Sequence, residues 1–595
     1  MDLKSTCEVD GPSVVSWPSR GEYAIMDCMI EVWAPRPDRV RLWLDGVVHE
    51  MTRDDTGHWR ADVPVPDGTR YGFLLDDDPF VVPDPRSPRQ PDGVHRPSQQ
   101  HTVSGWTDDE WTGRRLAGGI VYELHVGTFT PAGTFDAAID RLEHLVELGV
   151  TFVELMPVNA FNGAHNWGYD GVLWYAVHEG YGGPDGLQRF VDACHGRGLA
   201  VVLDVVYNHL GPSGNYLDRF GPYLGNANTW GRTVNLDGPG STQVRRYILD
   251  NALRWFRDFH IDALRLDAVH ALVDRGAVHL LEQLAVEAET LATHLGRPLT
   301  LIAESDLNDP RLITPHAAGG FGIDAQWNDD VHHAVHAAVS GERQGYYGDF
   351  GSLRALARTL TQGFFHAATY SSFRGRIHGR PLNIRHTPAS ALLAYTCTHD
   401  QIGNRALGDR PSAYLDAGQL AIKAALVLTS AYTPMLFMGE EWGATTPFQF
   451  FTAHPEPELA QATRDGRRRE FAAHGWSTDE VPDPQDPATF TRSKLDWSQA
   501  HGRLLDSYRD LIALRRKHSE LSDPWLEHVA VDYDEAAHWI VVRRGSFRLA
   551  CNLGADAVQV PVGGTPVLWW DEVTQDETGS ATTIPGHSFV LLREH

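Results

Sequence analysis

From Ile120 onward the chain alternates short runs of β-forming residues with longer stretches in helical period. GIVYELHVG gives way to FDAAIDRLEHLVELG, then VTFVELMPV, and later LQRFVDACHGRG is followed by LAVVLDVVYNH. Strand, helix and strand again predicts parallel βα units. Further β runs end at IDALRLDA, LTLIAES, ALLAYTCTHD and TPMLFMGEEWG, which carries the alternation to about residue 520. That is far more chain than a plain doubly wound domain needs. An α/β fold built as an eight-unit (β/α)8 barrel of the TIM type, with long loops, fits best. On either side the pattern is different. Residues 1–110 carry short alternating runs such as MIEVWAP, RVRLWLDG and HWRADVPV, the signature of an N-terminal β-sandwich. They close in the proline-rich segment from Pro83 to Gln100, which suits an extended, packed linker. Residues 521–595 show HVAVDYD, HWIVVRRG, RLACNLG, TPVLWW and SFVLLRE between Gly, Asp and Pro, which predicts a C-terminal antiparallel β domain. At about 150 residues per domain the length would allow roughly four units. One barrel over 111–520 reduces them to three.

The formal charge of −27 repels a phosphate backbone, so nucleic acid is excluded as a partner. The first ten residues, MDLKSTCEVD, are charged where a secretory signal needs an apolar run. The most apolar long stretch, from Ala421, is broken by Lys423, Thr429, Ser430 and Pro434 and falls short of a membrane span. The expectation is a cytoplasmic protein with no membrane partner; the sequence leaves its oligomeric state open. Cys7, Cys28, Cys194, Cys397 and Cys551 form no CxxC pair, so they read as isolated thiols. With 18 Trp, 18 Tyr and 23 Phe, many of the tryptophans in Gly-, Asn- and Asp-rich segments, the chain has loop aromatics to spare. Such rings suit sugars, which have flat C–H faces and many hydroxyls; they also simply sit half-buried at surfaces.

In a βα barrel the active site lies at the C-terminal ends of the strands, so the polar residues that close each β run are the ones to collect. LAVVLDVVYNH supplies Asp204, Asn208 and His209; IDALRLDAVH supplies Arg265, Asp267 and His270. LTLIAES supplies Glu304, and ALLAYTCTHDQ supplies His399, Asp400 and Gln401. Any one of these could be a helix cap or an Asx-turn residue. Four strand ends that bring acids and histidines to one rim are harder to explain that way. Arg265 and Asp267 are two apart and so face the same side of a strand, where the guanidinium keeps the carboxylate ionised. Glu304 follows the apolar run TLIA and lies near other acids, and both effects raise its pKa. One carboxylate held charged and one held protonated is the division that glycoside hydrolysis requires.

The set DVVYNH, LRLDAVH, IAES and THD resembles the four motifs of the α-amylase superfamily of glycoside hydrolases, in the same order, with the acids 63, 37 and 96 residues apart. The resemblance implies a retaining mechanism with Asp267 as nucleophile, Glu304 as general acid and then base, and Asp400 gripping hydroxyls of the distorted sugar. It places Arg265, His209 and His399 in the same subsite, Asp204 in support of Arg265, and Tyr169 of NWGYDG as an aromatic platform. His270 and Gln401 belong to the same motifs. Within the superfamily the chain is most similar to the malto-oligosyltrehalose trehalohydrolases. The likeness is carried by VWAP at Val32, PDPRSPRQPDGVH at Pro83, HVGTFTPAGTF at His125, NHLGPSGNYL at Asn208 and QWNDDVHHAVH at Gln326. Further on it continues in HDQIGNR at His399, PFQFFTAH at Pro447, GRRREF at Gly466 and PDPQDPATF at Pro482. What it implies is release of trehalose from malto-oligosyltrehalose by cleavage of the adjacent α-1,4 bond.

Where most members of the superfamily carry Asn before the His-Asp pair, this chain has Thr398, which is expected to alter the placing of Asp400. Candidates for the trehalose side are loop residues Trp327, Asn328, Asp329 and Asp330, together with PFQFFTAH. A glucan branching or debranching enzyme shares the layout and motifs, and a silent glucan-binding barrel is the alternative of another class, disfavoured because all three carboxylates survive. His332 and His333 are adjacent and cannot both face one ion from a helix or strand, and there is no acid-dense loop of the EF-hand type. The expectation is therefore no metal and no cofactor.

Overall fold

The computed structural model describes residues 29–228, 231–472 and 480–594. The charged N-terminal stretch, with Cys7 and Cys28, lies outside the described residues; Cys194, Cys397 and Cys551 are free and buried. At the centre is a closed parallel barrel of eight strands, numbered here in chain order: β1 Val121–Leu124, β2 Phe152–Leu155, β3 Ala200–Val205, β4 Ala263–Leu266, β5 Thr300–Ala303, β6 Ala325–Trp327, β7 Leu392–Tyr395 and β8 Thr433–Phe437. Each pairs with the next, and β8 closes on β1.

Strand β6 is the one that the residue pattern does not announce. It is only three residues long, AQW, and short mixed runs carry no readable period. Trp327 is therefore a buried strand residue rather than the loop residue expected.

Alternation of side chains fills the barrel and arms its rim. Val121, Phe152, Val202, Ala263 and Ile302 belong to one apolar cluster inside the barrel. Two positions further along the same five strands stand Glu123, Glu154, Asp204, Arg265 and Glu304. Five neighbouring strands thus change from apolar packing to ionisable groups at about the same height.

The N-terminal part consists of a three-stranded sheet (Met29–Trp33, His58–Pro64, Thr52–Arg53) and a four-stranded one (Val47–Glu50, Val40–Leu44, Arg70–Leu75, Ser98–Gln99). The segment after it is held to the barrel. Arg89 reaches Glu179 at 2.7 Å and Asp185 at 3.1 Å, and the Tyr247 hydroxyl donates to the Pro85 carbonyl at 2.9 Å. The C-terminal part has a five-stranded antiparallel sheet and a three-stranded one. Among the described residues, no helix is long and apolar enough to cross a membrane.

The chain enters the barrel through a buried clasp. His195 places Nδ1 2.7 Å from Asp108 and Nε2 3.0 Å from Asp262. Asp262 also accepts from Trp111 Nε1 at 2.8 Å and lies 3.2 Å from Arg297. Burial works against a charged His195, but the two carboxylates outweigh it and hold the ring above the ordinary histidine range. Asp108 moves the other way: burial pushes it up, and hydrogen bonds from His195 and His260 pull it well below the carboxylate range. The histidine contribution is complete below the unfolded value of about 6.5 and is lost as the pH rises through the folded value. The aspartate contribution is present above about 3.9 and is lost as the pH falls through its depressed value. His195→Ala leaves two buried carboxylates short of a cation and is expected to cost about 3–5 kcal/mol. Chemical denaturation measures it; a loss below about 1 kcal/mol would mean that His260 and Arg297 hold the clasp alone.

Candidate active site

A cleft of about 720 Å³ opens over the C-terminal ends of the barrel strands. His209, Arg265, Asp267, His270, Glu304, His399 and Asp400, all collected from strand ends, line it together with Tyr169, which the family resemblance supplied. At its floor is Arg265, 1% exposed. Its Nη1 donates to Asp204 at 3.0 and 2.9 Å and to Asp267 Oδ1 at 2.7 Å, while Nη2 stands 3.7 Å from Glu304 Oε2. The guanidinium stacks 4.3 Å from the ring of Trp327. That cation–π contact is where Trp327 acts, beneath the site.

The two carboxyls that share Arg265 live in different surroundings. Asp267 accepts a second hydrogen bond, from Asn208 Nδ2 to Oδ2 at 2.6 Å, so both its oxygens face donors. Glu304 Oε2 accepts the Ala268 amide at 2.5 Å. Burial pushes the Glu304 carboxyl up, to about 8; Arg265 pulls it down, and the neighbouring Asp267, Asp400 and Asp329 push it up again. The residue joining the two groups, Ala268, has φ 40°, in the left-handed region that a side chain seldom adopts. That turn aims the Ala268 amide at Glu304 directly after the chain has delivered Asp267.

Around this pair, the Tyr169 hydroxyl donates to Asp204 Oδ2 at 2.7 Å and lies 2.9 Å from His399 Nε2. His209 Nε2 is 3.0 Å from the Tyr169 carbonyl oxygen and Nδ1 is 2.5 Å from Asn208 Oδ1. His270 stands 3.9 Å from Asp306. Asp400 is the open member, 41% exposed, with Oδ1 3.4 Å from His399 Nε2.

Thr398 has a definite job. Its Oγ1 accepts the Asp400 amide at 3.2 Å and caps the short helix His399–Gly403. The capping box is closed by Gln401, whose Oε1 accepts from the Thr398 amide at 2.7 Å. Gln401 is thus turned back onto the helix cap and does not line the cleft, contrary to its expected place among the sugar contacts.

The other loop candidates divide. Asp329 is half-buried, accepts from the Tyr395 hydroxyl at 2.5 Å, and is pushed up to about 6 by burial. Asn328 and Asp330 are buried and engaged elsewhere: Asn328 Nδ2 donates to the Gly363 carbonyl, and Asp330 accepts the amides of Phe365 and His366. In PFQFFTAH, Phe448 and Phe451 are core residues, while Phe450, Thr452 and His454 line the cleft. They stand on the Tyr169 side, with Thr452 Oγ1 2.8 Å from Asn166. His332 spends both ring nitrogens on protein, 2.8 Å from the Thr396 carbonyl and 2.9 Å from the Tyr347 hydroxyl.

Glu123 and Glu154 stand within β1 and β2, away from the strand ends where the candidates are expected. Also away from them is the hairpin Thr369–Ser371 and Arg376–His378, which stands beside Asp306, two residues past Glu304. Arg374 donates to Asp306 Oδ2 at 2.8 Å and His378 Nε2 is 2.8 Å from its carbonyl.

The chain matches the family described as Alpha amylase, catalytic domain, over residues 96–224, and a Domain of unknown function (DUF3459) over residues 524–591. It is 62% identical over 572 residues to a malto-oligosyltrehalose trehalohydrolase of Mycobacterium tuberculosis, covering 94% of this chain and 98% of the relative. To that of Saccharolobus solfataricus it is 41% identical over 542 residues, covering 90% and 93%. A solved protein of the alpha amylase kind from Salmonella typhimurium superposes with a TM-score of 0.87 at 38% identity, covering 95% of this chain and 97% of that one. With likeness over nearly its whole length and the strand-end acids gathered around one arginine, the chain belongs to the malto-oligosyltrehalose trehalohydrolase family of the α-amylase superfamily of glycoside hydrolases.

Proposed function

We propose that this protein is a retaining glycoside hydrolase that cleaves the α-1,4-glucosidic bond next to the terminal trehalose of malto-oligosyltrehalose, with Asp267 as nucleophile and Glu304 as general acid and then base. The observation that carries the reading is the unequal pair around Arg265: Asp267 with both oxygens facing donors, Glu304 in a buried setting that favours its proton. Asp267 attacks the anomeric carbon while Glu304 protonates the departing glycosidic oxygen, and trehalose leaves. The now ionised Glu304 then takes a proton from water, whose oxygen displaces Asp267 and frees the malto-oligosaccharide with its configuration retained. Tyr169, His209, His399 and Asp400 surround the sugar that becomes attached.

The leaving group departs from the Glu304 side, and the hairpin bonded to Asp306, two residues past Glu304, is our candidate for a contact with it. That hairpin exposes Tyr370 (62%) and Phe373 (56%), rings of the kind that stack on sugar faces. Phe373→Ala is expected to raise KM for malto-oligosyltrehalose roughly three- to tenfold, with kcat for plain malto-oligosaccharides unchanged. An equal effect on both substrates would remove the hairpin from trehalose selection.

The reading as a whole is tested by incubation with malto-oligosyltrehalose and, separately, with a malto-oligosaccharide of the same length. Free trehalose from the first and little product from the second is the expected result. New α-1,6 links without free trehalose would make it a branching enzyme.

A further inference from the structure

Glu123 is 1% exposed, stands in the middle of β1, and uses both oxygens on one residue of another strand end. Oε2 accepts the His399 backbone amide at 3.1 Å, and Oε1 faces His399 Nδ1 within hydrogen-bond distance. The direction of the bonds on the far side of the ring can be worked out. Burial pushes Asp204 up to about 7 against the pull of Arg265, which donates to both its oxygens, so at about pH 8 that carboxylate is ionised and able only to accept. The Tyr169 hydroxyl therefore gives its one proton to Asp204, and its oxygen has only lone pairs left for His399 Nε2. Nε2 must carry hydrogen. Since Nδ1 faces a carboxylate, both ring nitrogens are donors.

We propose that Glu123 is a positioning residue for the reaction, clamping the ring and the backbone of His399 so that it stays an imidazolium with Nε2–H held on the Tyr169 hydroxyl beside Asp400, while the adjacent Glu154 stays a neutral acid. An unbroken series of charge-assisted hydrogen bonds then runs from Glu123 through His399, Tyr169, Asp204 and Arg265 to the nucleophile Asp267, and orientation set in β1 reaches the reacting carboxylate.

Glu154 completes the balance. It is the in-register neighbour of Glu123 across β1 and β2, and is 1% exposed. Among the described residues neither of its oxygens has a hydrogen-bond partner. A second ionised carboxylate there would be buried beside the first with no donor on either oxygen, and burial with the repulsion of Glu123 and Asp204 outweighs the pull of Arg265 and His399, so the proton stays on Glu154. The groups that face His399 are Glu123 and His125 from β1 and its end, Glu154 from β2, Tyr169, Asp204 from β3, Arg265 from β4 and Asp400 from its own helix. Burial opposes a charged ring; Asp400 and Glu123 outweigh it, and His399 is pushed up to about 9.

The kinetic arm of the test rests on the glycosidase reading of the cleft, and the spectroscopic arm does not. In protein labelled with 15N-histidine, with His399 identified by the signal missing from His399→Gln, both ring nitrogens of His399 are expected at imidazolium positions at about pH 8. In Glu123→Gln they move to neutral imidazole at that pH. In the kinetic arm, Glu123→Gln lowers kcat/KM roughly 10–100-fold near neutrality and moves the alkaline limb, set near pH 8 by Glu304 in the wild type, down by one unit or more because His399 now loses its proton first. Glu154→Gln, an isostere of the protonated acid, keeps the wild-type profile. A neutral His399 in the wild type at pH 7 overturns the proposal, as does an unmoved alkaline limb in folded Glu123→Gln. Should Glu123→Gln fail to fold, the wild-type spectrum alone decides. An imidazolium His399 in a protein that releases no trehalose would sink the substrate reading and leave the clamp standing.

Discussion

Asp267→Asn leaves a folded protein that turns over malto-oligosyltrehalose on the order of 10⁵-fold more slowly, the scale seen when an enzyme loses its nucleophile. The replacement keeps the shape of the side chain. An amide oxygen at the position of Oδ1 still accepts from Arg265, so the floor of the cleft keeps its main contact. What is lost is the anion that attacks the anomeric carbon, together with one acceptor for Asn208 Nδ2. Asp267 is 13% exposed, and a neutral group there meets water on one side, so the thermal midpoint is expected to move little. Rates and thermal midpoint measured together separate loss of chemistry from loss of fold. A fluorosugar that accumulates the glycosyl-enzyme should add its mass to the peptide holding Asp267 in the wild type, and to none in the variant. A residual rate within about a hundredfold of wild type would sink the assignment, and label on another carboxylate would name the true nucleophile.

The site residues were legible because each belongs to an apolar β run that ends in a cluster of polar groups: Asp204 before Asn208 and His209, Arg265 before Asp267, and Glu304 directly after Thr300–Ala303. The barrel followed from the same alternation, save for β6, whose three residues are too few to show a period. Glu123 and Glu154 were hidden because the residues that follow them, Leu124 and Leu155, close their runs without a cluster of acids. They lie inside β runs, where one acid among apolar residues reads as an interruption. Counting in twos from Val121 and Phe152 would have placed both on the inner face, since the period of a strand is 2. Gln401 was misplaced because the capping box that engages it depends on Thr398, and the commoner Asn at that position suggests a different partner. The hairpin beside Asp306 had no local signal at all. Arg374 and Asp306 are 68 residues apart, and only the closed barrel brings them together.

Glu304→Gln separates the two halves of the reaction. A glutamine keeps an oxygen for the Ala268 amide and so should hold the turn after Asp267 in place. It has no proton to give to the glycosidic oxygen and no base to offer to water. A positioned acid–base group contributes about 10²–10⁴-fold to each step it assists, and malto-oligosyltrehalose, whose trehalose would leave as an alkoxide unless protonated, should show the upper end of that range. A malto-oligosyl fluoride departs without help from an acid. With it the variant is expected to form the glycosyl-enzyme at close to the wild-type rate and then stall, because deglycosylation still lacks its base. Added azide, a nucleophile that needs no deprotonation, should restore turnover of the fluoride. The pH profile carries the same signature. Glu304 must hold its proton to act as the acid, so the alkaline limb of activity on the natural linkage lies near pH 8 and activity falls as the pH rises through that value. In Glu304→Gln the limb belonging to this group disappears from the residual rate. A variant that keeps that limb near pH 8 and gains nothing from the fluoride would show that the proton comes from elsewhere. Asp329, half-buried, pushed up to about 6 and adding its repulsion to Glu304, would be the next group to replace.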